Sequence, residues 1–181
     1  MINIEKLFDK FSKHAASCKS APFVLNANAA FESWFRVELI PPLNELGYEF
    51  RNIETNYTYP NSRDKADLCL KSAQGNIVFE LKSFVSGQDS NKKEKYPGQI
   101  EKLEKLISSS NIVQVISLTT FIGYSETQMM RYINNFFKSK SWTILGPMKL
   151  VEQHNLYVTI TSLINRGHFA QQRAKRLTLK P

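Results

Sequence analysis

Asp67, Glu80 and Lys82 are the residues whose types and spacing could do chemistry. They lie in two short apolar runs, Ala66–Lys71 and Ile77–Phe84, that flank the turn segment Ser72–Gly75. The runs read as the strands of a hairpin. If Lys71 pairs with Asn76, Asp67 falls opposite Glu80, with Cβ atoms about 4.5–5.5 Å apart. A slip of one residue would part them. Glu80 and Lys82 differ by two and share a face, while Ile77, Phe79 and Leu81 point the other way. Like charges directly opposed are destabilising, so the pair calls for a cation. Lys82 is one. A divalent ion is the better one, because hard oxygen ligands at this separation suit Mg²⁺. The structural alternative is a turn-proximal surface acid at Asp67, with Glu80 and Lys82 on the wet face of an edge strand.

Several elements must position this hairpin. A helix is expected over residues 2–17, with Ile4, Leu7, Phe8 and Phe11 on one side. A second runs from about Asn28 to Leu46, broken or kinked at Pro41-Pro42 and stopped at Gly47. Tyr48–Tyr59 reads as extended and polar enough for a sheet edge. Ser86–Pro97 reads as a lysine-rich loop, and Gly98–Ser109 as a helix. Ile112–Leu118 is a buried strand by its Ile and Val content. Ser125 and Gln128 form a capping box that opens a helix reaching about Lys138. Trp142–Leu145 and Leu156–Ile164 are late strands. This order predicts an α/β three-layer sandwich with a central mixed sheet flanked by helices. A single domain is expected over residues 1–181.

The segments ADLCL and VFELKS resemble the PD-(D/E)xK nuclease superfamily, whose fold is restriction-endonuclease-like. Ala66 stands where that family usually has Pro. The resemblance spans roughly residues 28–120. It implies that Asp67, Glu80 and the backbone carbonyl of Leu81 hold Mg²⁺, with Mn²⁺ able to substitute. It also implies a helix acid, met by Glu38 on the apolar face of the second helix, with Glu32 as the alternative. Gln99, near Tyr96, would match the glutamine that follows Glu-x-Lys in many members. Lys82 would orient the attacking water. The activity implied is DNA phosphodiester hydrolysis by a metal-dependent endonuclease of restriction, defence or repair type.

The charge distribution is consistent with a polyanionic partner. Residues 1–130 balance 15 Lys and Arg against 15 Asp and Glu, whereas residues 131–181 hold 9 basic residues against Glu152 alone. Arg166, Arg173, Lys175 and Arg176 lie in a basic tail, about 165–181. With Lys92, Lys93 and Lys95 after the hairpin, they would neutralise phosphates of DNA, most simply a duplex. So small a chain would cut where a partner specificity subunit chooses the site, or would form a homodimer to cut both strands.

Other classes find less support. Cys18 and Cys69 form no Cys-x-x-Cys pair, and His14, His154 and His168 are scattered. No P-loop, dinucleotide fingerprint or nucleophile elbow is present. No run of about 18 apolar residues suggests a membrane span, and the N-terminus lacks a signal-peptide core, so a cytoplasmic location is expected. The main competing reading is a nuclease-like nucleic-acid-binding module or subunit without turnover.

Overall fold

The computed structural model of the chain describes residues 1–18, 31–60, 62–88, 90–109, 111–138, 141–151 and 156–165. Helix α1 spans Ile4–Ser17, α2 Phe31–Glu38 and α3 Ile40–Glu45. A 3₁₀ turn, Phe50–Asn52, leads to strand β1, Ile53–Thr58. Then follow β2 (Lys65–Ser72), β3 (Gly75–Val85), α4 (Ser90–Ser109), β4 (Ile112–Ile122), α5 (Glu126–Phe136), β5 (Trp142–Val151) and β6 (Leu156–Ile164).

The strands form one six-stranded sheet in the order β1-β2-β3-β4-β6-β5. All pairings are antiparallel except β3 with β4. A parallel pair needs a crossover connection, and α4 supplies it. The expected α/β architecture with a mixed sheet is therefore observed.

Two cores lie on opposite faces of the sheet. Leu7 and Phe11 of α1, Phe35 of α2 and Leu43 of α3 pack with Leu68, Leu70, Ile77, Phe79 and Leu81. Tyr96, Ile100, Leu103 and Ile107 of α4 and Met129 and Ile133 of α5 pack with Cys69, Val78, Phe84 and Phe121. Alternation of side chains along β3 divides its residues between the two. Strand β4 is buried along all but its last residue, as its Ile and Val content requires.

Gln114 of β4 joins α1 to the centre of the sheet. Its side-chain oxygen accepts from the Ile2 amide at 2.8 Å, and its nitrogen donates to the Ile2 carbonyl at 3.0 Å. Ser125 and Gln128 form the expected capping box of α5.

Three expectations need correction. Ser86–Pro97 is not all loop, because α4 begins at Ser90 and carries Pro97 inside it. Tyr96 is buried and extends the stripe of Ile100, Leu103 and Ile107 by one turn, which offsets the hydrogen bond that proline cannot make. The second predicted helix is two helices that part at Leu39, with Pro41 and Pro42 in the first turn of α3. Its expected start at Asn28 lies outside the described residues. Strand β4 also runs four residues beyond Leu118. Among the described residues, no helix is long and apolar enough to cross a membrane.

Candidate functional site

The hairpin has the expected register. Ser72 pairs with Gly75, Lys71 with Asn76, and the ladder continues to Leu68 opposite Phe79. The next rung would set Asp67 against Glu80, but there the strands part. Instead of a main-chain bond, the Leu81 amide donates to Asp67 Oδ2 at 2.8 Å. On the other side of β2, the β1 ladder skips the position between Thr55–Leu68 and Tyr57–Ala66. Asn56 there has a positive φ of 55°. Strict alternation would put Ala66 in the core of Leu68 and Leu70, yet it packs with Cys69 on the other face. Strand β2 thus turns at Asp67.

Beyond that fork β3 has β4 on one side only. Its Ser83 amide donates to Glu32 Oε1 of α2 at 3.1 Å. Leu81 and Ser83 are alternate residues on one strand edge, so two carboxylates replace the missing backbone partner. Asp67 also accepts from Arg36 Nη2 through Oδ1, at 3.0 Å. Glu32 and Arg36 are four apart on α2 and therefore share the helix face that meets this end of the sheet.

On the α4 side, Glu80 lines a cavity with Lys82, Tyr59, Tyr96, Gln99 and Lys102. A second hollow is lined by Glu32, Lys82, Lys95, Tyr96 and Gln99. Lys82, Tyr96 and Gln99 are common to both. Asp67 is not among the lining residues of either hollow. It is near enough to Glu80 for its charge to act there. Burial pushes the Glu80 carboxyl up to about 7, and the charge of Asp67 adds to this. The Tyr59 hydroxyl, which donates a short hydrogen bond to Glu80 Oε1, and the Lys82 ammonium act the other way. Tyr59 is itself buried, and burial and Glu80 raise its hydroxyl above its ordinary value. Beneath the cavity, the buried Tyr96 hydroxyl bonds Ser117 Oγ at 2.7 Å and reaches Thr119 Oγ1 at 3.3 Å.

The structure places Glu80, Lys82 and Gln99, all marked out in the sequence, on one hollow, and Asp67 outside it at the fork, bound to Arg36 and the Leu81 amide. Leu81 contributes its amide to Asp67, where the sequence suggested its carbonyl for a metal. Glu38 is not at this site. Its carboxylate turns to α1, where it meets His14 Nε2 at 2.7 Å. The correction follows from helix phase. Six residues separate Glu38 from Glu32, about 240° around the axis at 3.6 residues per turn. The helix acid beside Lys82 is Glu32.

The lysines after the hairpin lie on α4. Lys95 is exposed and lines the second hollow. The Lys93 ammonium lies over the rings of Tyr124 and Tyr132, 5.0 and 5.1 Å from their centres. Lys92 is in the first turn of the same helix. Arg166, Arg173, Lys175 and Arg176 lie outside the described residues.

Two further participants were not marked out by sequence reasoning. Tyr59 ends the stretch expected to be an extended sheet edge; it packs in the core and its hydroxyl holds Glu80. Arg36 carries a signal in its spacing of four from Glu32. That signal was readable only once Glu32 was placed at the site.

Asp67, Glu80 and Glu32 offer hard carboxylate oxygens of the kind magnesium takes. Asp67 is paired with Arg36, and burial is the main cause of the raised Glu80 carboxyl. These acids match magnesium in donor type alone, since the oxygens of all three do not lie within 4.8 Å of one another. No family model matches this chain, and neither the curated proteins nor the solved structures give a significant match.

Proposed function

We propose that this chain is a magnesium-dependent endonuclease of the PD-(D/E)xK type, with a restriction-endonuclease-like fold, acting on DNA phosphodiester bonds. The observation that carries the reading is the fork of the β2–β3 hairpin. Asp67 holds the Leu81 amide there and its charge reaches Glu80, which lines a hollow with Lys82 and Gln99, while Glu32 lines a second hollow with the same two residues.

Asp67 and Glu80 would hold Mg²⁺, with Glu32 as a further acid and Mn²⁺ as a substitute. When bound, the ion would polarise a phosphoryl oxygen and stabilise the leaving oxygen. Lys82 would donate to the attacking water and offset the negative charge that builds at phosphorus. Gln99 and Lys95 would hold the scissile phosphate at the mouth of the hollow. Arg36 would yield Asp67 to the ion while keeping α2 against the sheet. Lys92 and the basic C-terminal segment would add phosphate contacts that position a duplex without reading its bases. Cutting both strands would need a second copy of the site, from a homodimer or a partner subunit.

The second reading, a nucleic-acid-binding module without turnover, is favoured by Arg36. Its guanidinium already balances Asp67, so the site is tolerable without a metal. The deciding experiment compares cleavage of plasmid, single-stranded and branched DNA with Mg²⁺ or Mn²⁺ by the wild type, Asp67→Asn and Lys82→Met. Metal-dependent cutting by the wild type, lost in both variants while DNA binding persists, supports the nuclease. DNA binding with no cutting under either metal supports the module.

A further inference from the structure

His14, Cys18 and Glu38 each present one ligand atom to a common point, in a cluster that shares no residue with the hairpin fork. His14 and Cys18 are four apart, at the C-terminal end of α1, where Cys18 is the cap residue. That spacing puts both on one helix face. Glu38 comes from the last residue of α2. His14 Nε2 is 2.7 Å from Glu38 Oε2, Cys18 Sγ is 3.2 Å from the same oxygen, and Sγ and Nε2 are 3.7 Å apart. The three are partly buried and form the cluster of potential ligands found among the described residues.

We propose that His14, Cys18 and Glu38 bind a zinc ion, with water in the fourth position. A tetrahedral zinc with ordinary bonds to nitrogen, sulfur and carboxylate oxygen would separate its ligand atoms by about 3.3–3.6 Å. The two distances that involve sulfur bracket that range. The His14–Glu38 pair, now 2.7 Å apart, must open to about 3.3 Å, as expected when a direct hydrogen bond gives way to a shared ion.

The mixed donor set decides the metal class. Thiolate and imidazole select zinc-like ions and not magnesium or calcium. Binding replaces the thiol proton with the ion, so one proton leaves Cys18 for solvent as the Zn–S bond forms. A nucleophilic role for Cys18 is less apt. Its thiol is pushed up to about 11 by burial and by Glu38, which leaves little thiolate at neutral pH. The ion would join α1 to the end of α2, the helix that also carries Glu32 and Arg36. The inference does not depend on nuclease activity.

Cobalt titration of the full chain tests the proposal. Cobalt should bind at one equivalent, give a thiolate-to-cobalt charge-transfer band in the near ultraviolet, and be displaced by zinc. Cys18→Ser should abolish the band and Cys69→Ser should leave it. His14→Gln and Glu38→Gln should each weaken binding by more than about 100-fold, since even outer-shell changes cost about 10–100-fold. Circular dichroism of each variant separates ligand loss from misfolding, and Glu38→Gln keeps the side-chain shape. Absence of the band in the wild type would overturn the site. So would a band that persists with full affinity in folded His14→Gln and Glu38→Gln proteins.

Discussion

Arg36 Nη2 lies 3.0 Å from Asp67 Oδ1, so a cation from the chain itself sits on an acid that we propose as a metal ligand. Both side chains are about one-fifth exposed, 24% and 18%, so the pair is screened less than a surface ion pair. Arg36→Met should cost about 1–3 kcal/mol in metal-free protein, the worth of a hydrogen bond to a charged group. The same change should tighten Mg²⁺ binding, because the ion no longer competes with a guanidinium. Urea unfolding with and without Mg²⁺ reads both effects. Unchanged metal affinity would show that Arg36 does not compete.

Glu80 makes stability fall as pH rises. Its carboxyl is raised from 4.5 to about 7 in the folded protein, so the folded state holds the proton more tightly than the unfolded chain. The contribution is fully present below pH 4.5 and is lost progressively up to about pH 7. Its size is about 3 kcal/mol by linkage. Glu80→Gln should remove this dependence and be more stable than wild type at pH 8. Urea midpoints from pH 5 to pH 8 test it, and parallel curves for the two proteins would contradict it.

Tyr59→Phe should move Glu80 further in the same direction. The hydroxyl favours the charged carboxylate, so its removal raises the carboxyl again. The midpoint for Mg²⁺ binding against pH should shift upward, at a stability cost of about 1 kcal/mol. Metal binding followed by calorimetry at several pH values would show the shift or its absence.

Glu32 and Glu38 should separate in activity. Glu32→Gln alters the hollow that Lys82 lines and should lower metal-dependent cleavage more than Glu38→Gln does. Lys82→Met should lower cleavage by about 10²–10⁴-fold, the usual range for a group that moves or orients a proton. Single-turnover cleavage rates rank the three. Equal losses in the two Glu variants would sink the assignment of the helix acid.

Gly75→Ala should disturb the site from a distance. Gly75 has φ 126°, and a Cβ there would meet Asn111 O at 2.6 Å and Val113 Cγ1 at 2.5 Å. Backbone strain and crowding add, so a loss of about 1–3 kcal/mol is expected. Thermal melting measures the loss, and wild-type stability would refute it.

The hairpin was legible in sequence because alternation and turn composition both act locally. Lys71 opposite Asn76 follows from four turn residues alone. The sheet was legible for a similar reason: Ile and Val runs such as Ile112–Leu118 mark strands wherever they pack. The start of α4 was not, because its lysines and Pro97 argue for a loop while one buried tyrosine argues for a helix. Only packing against β4 decides that contest. The choice between Glu32 and Glu38 was also hidden. It depends on the rotation of α2 about its axis, which is set by Phe35 and Leu39 reaching the core. Arg36 follows from the same rotation. The parting of β2 from β3 at Asp67 leaves no mark in composition.

Where β3 runs on without β2, its Leu81 and Ser83 donors are satisfied by acids and not by another backbone. Asp67 and Glu32 therefore shield a raw margin of the sheet. Removing both, as in Asp67→Ala with Glu32→Ala, would bare two donors in register along one edge of β3. Such a margin recruits foreign strands. The double variant should self-associate through this edge, and light scattering that shows no larger species than wild type would contradict it.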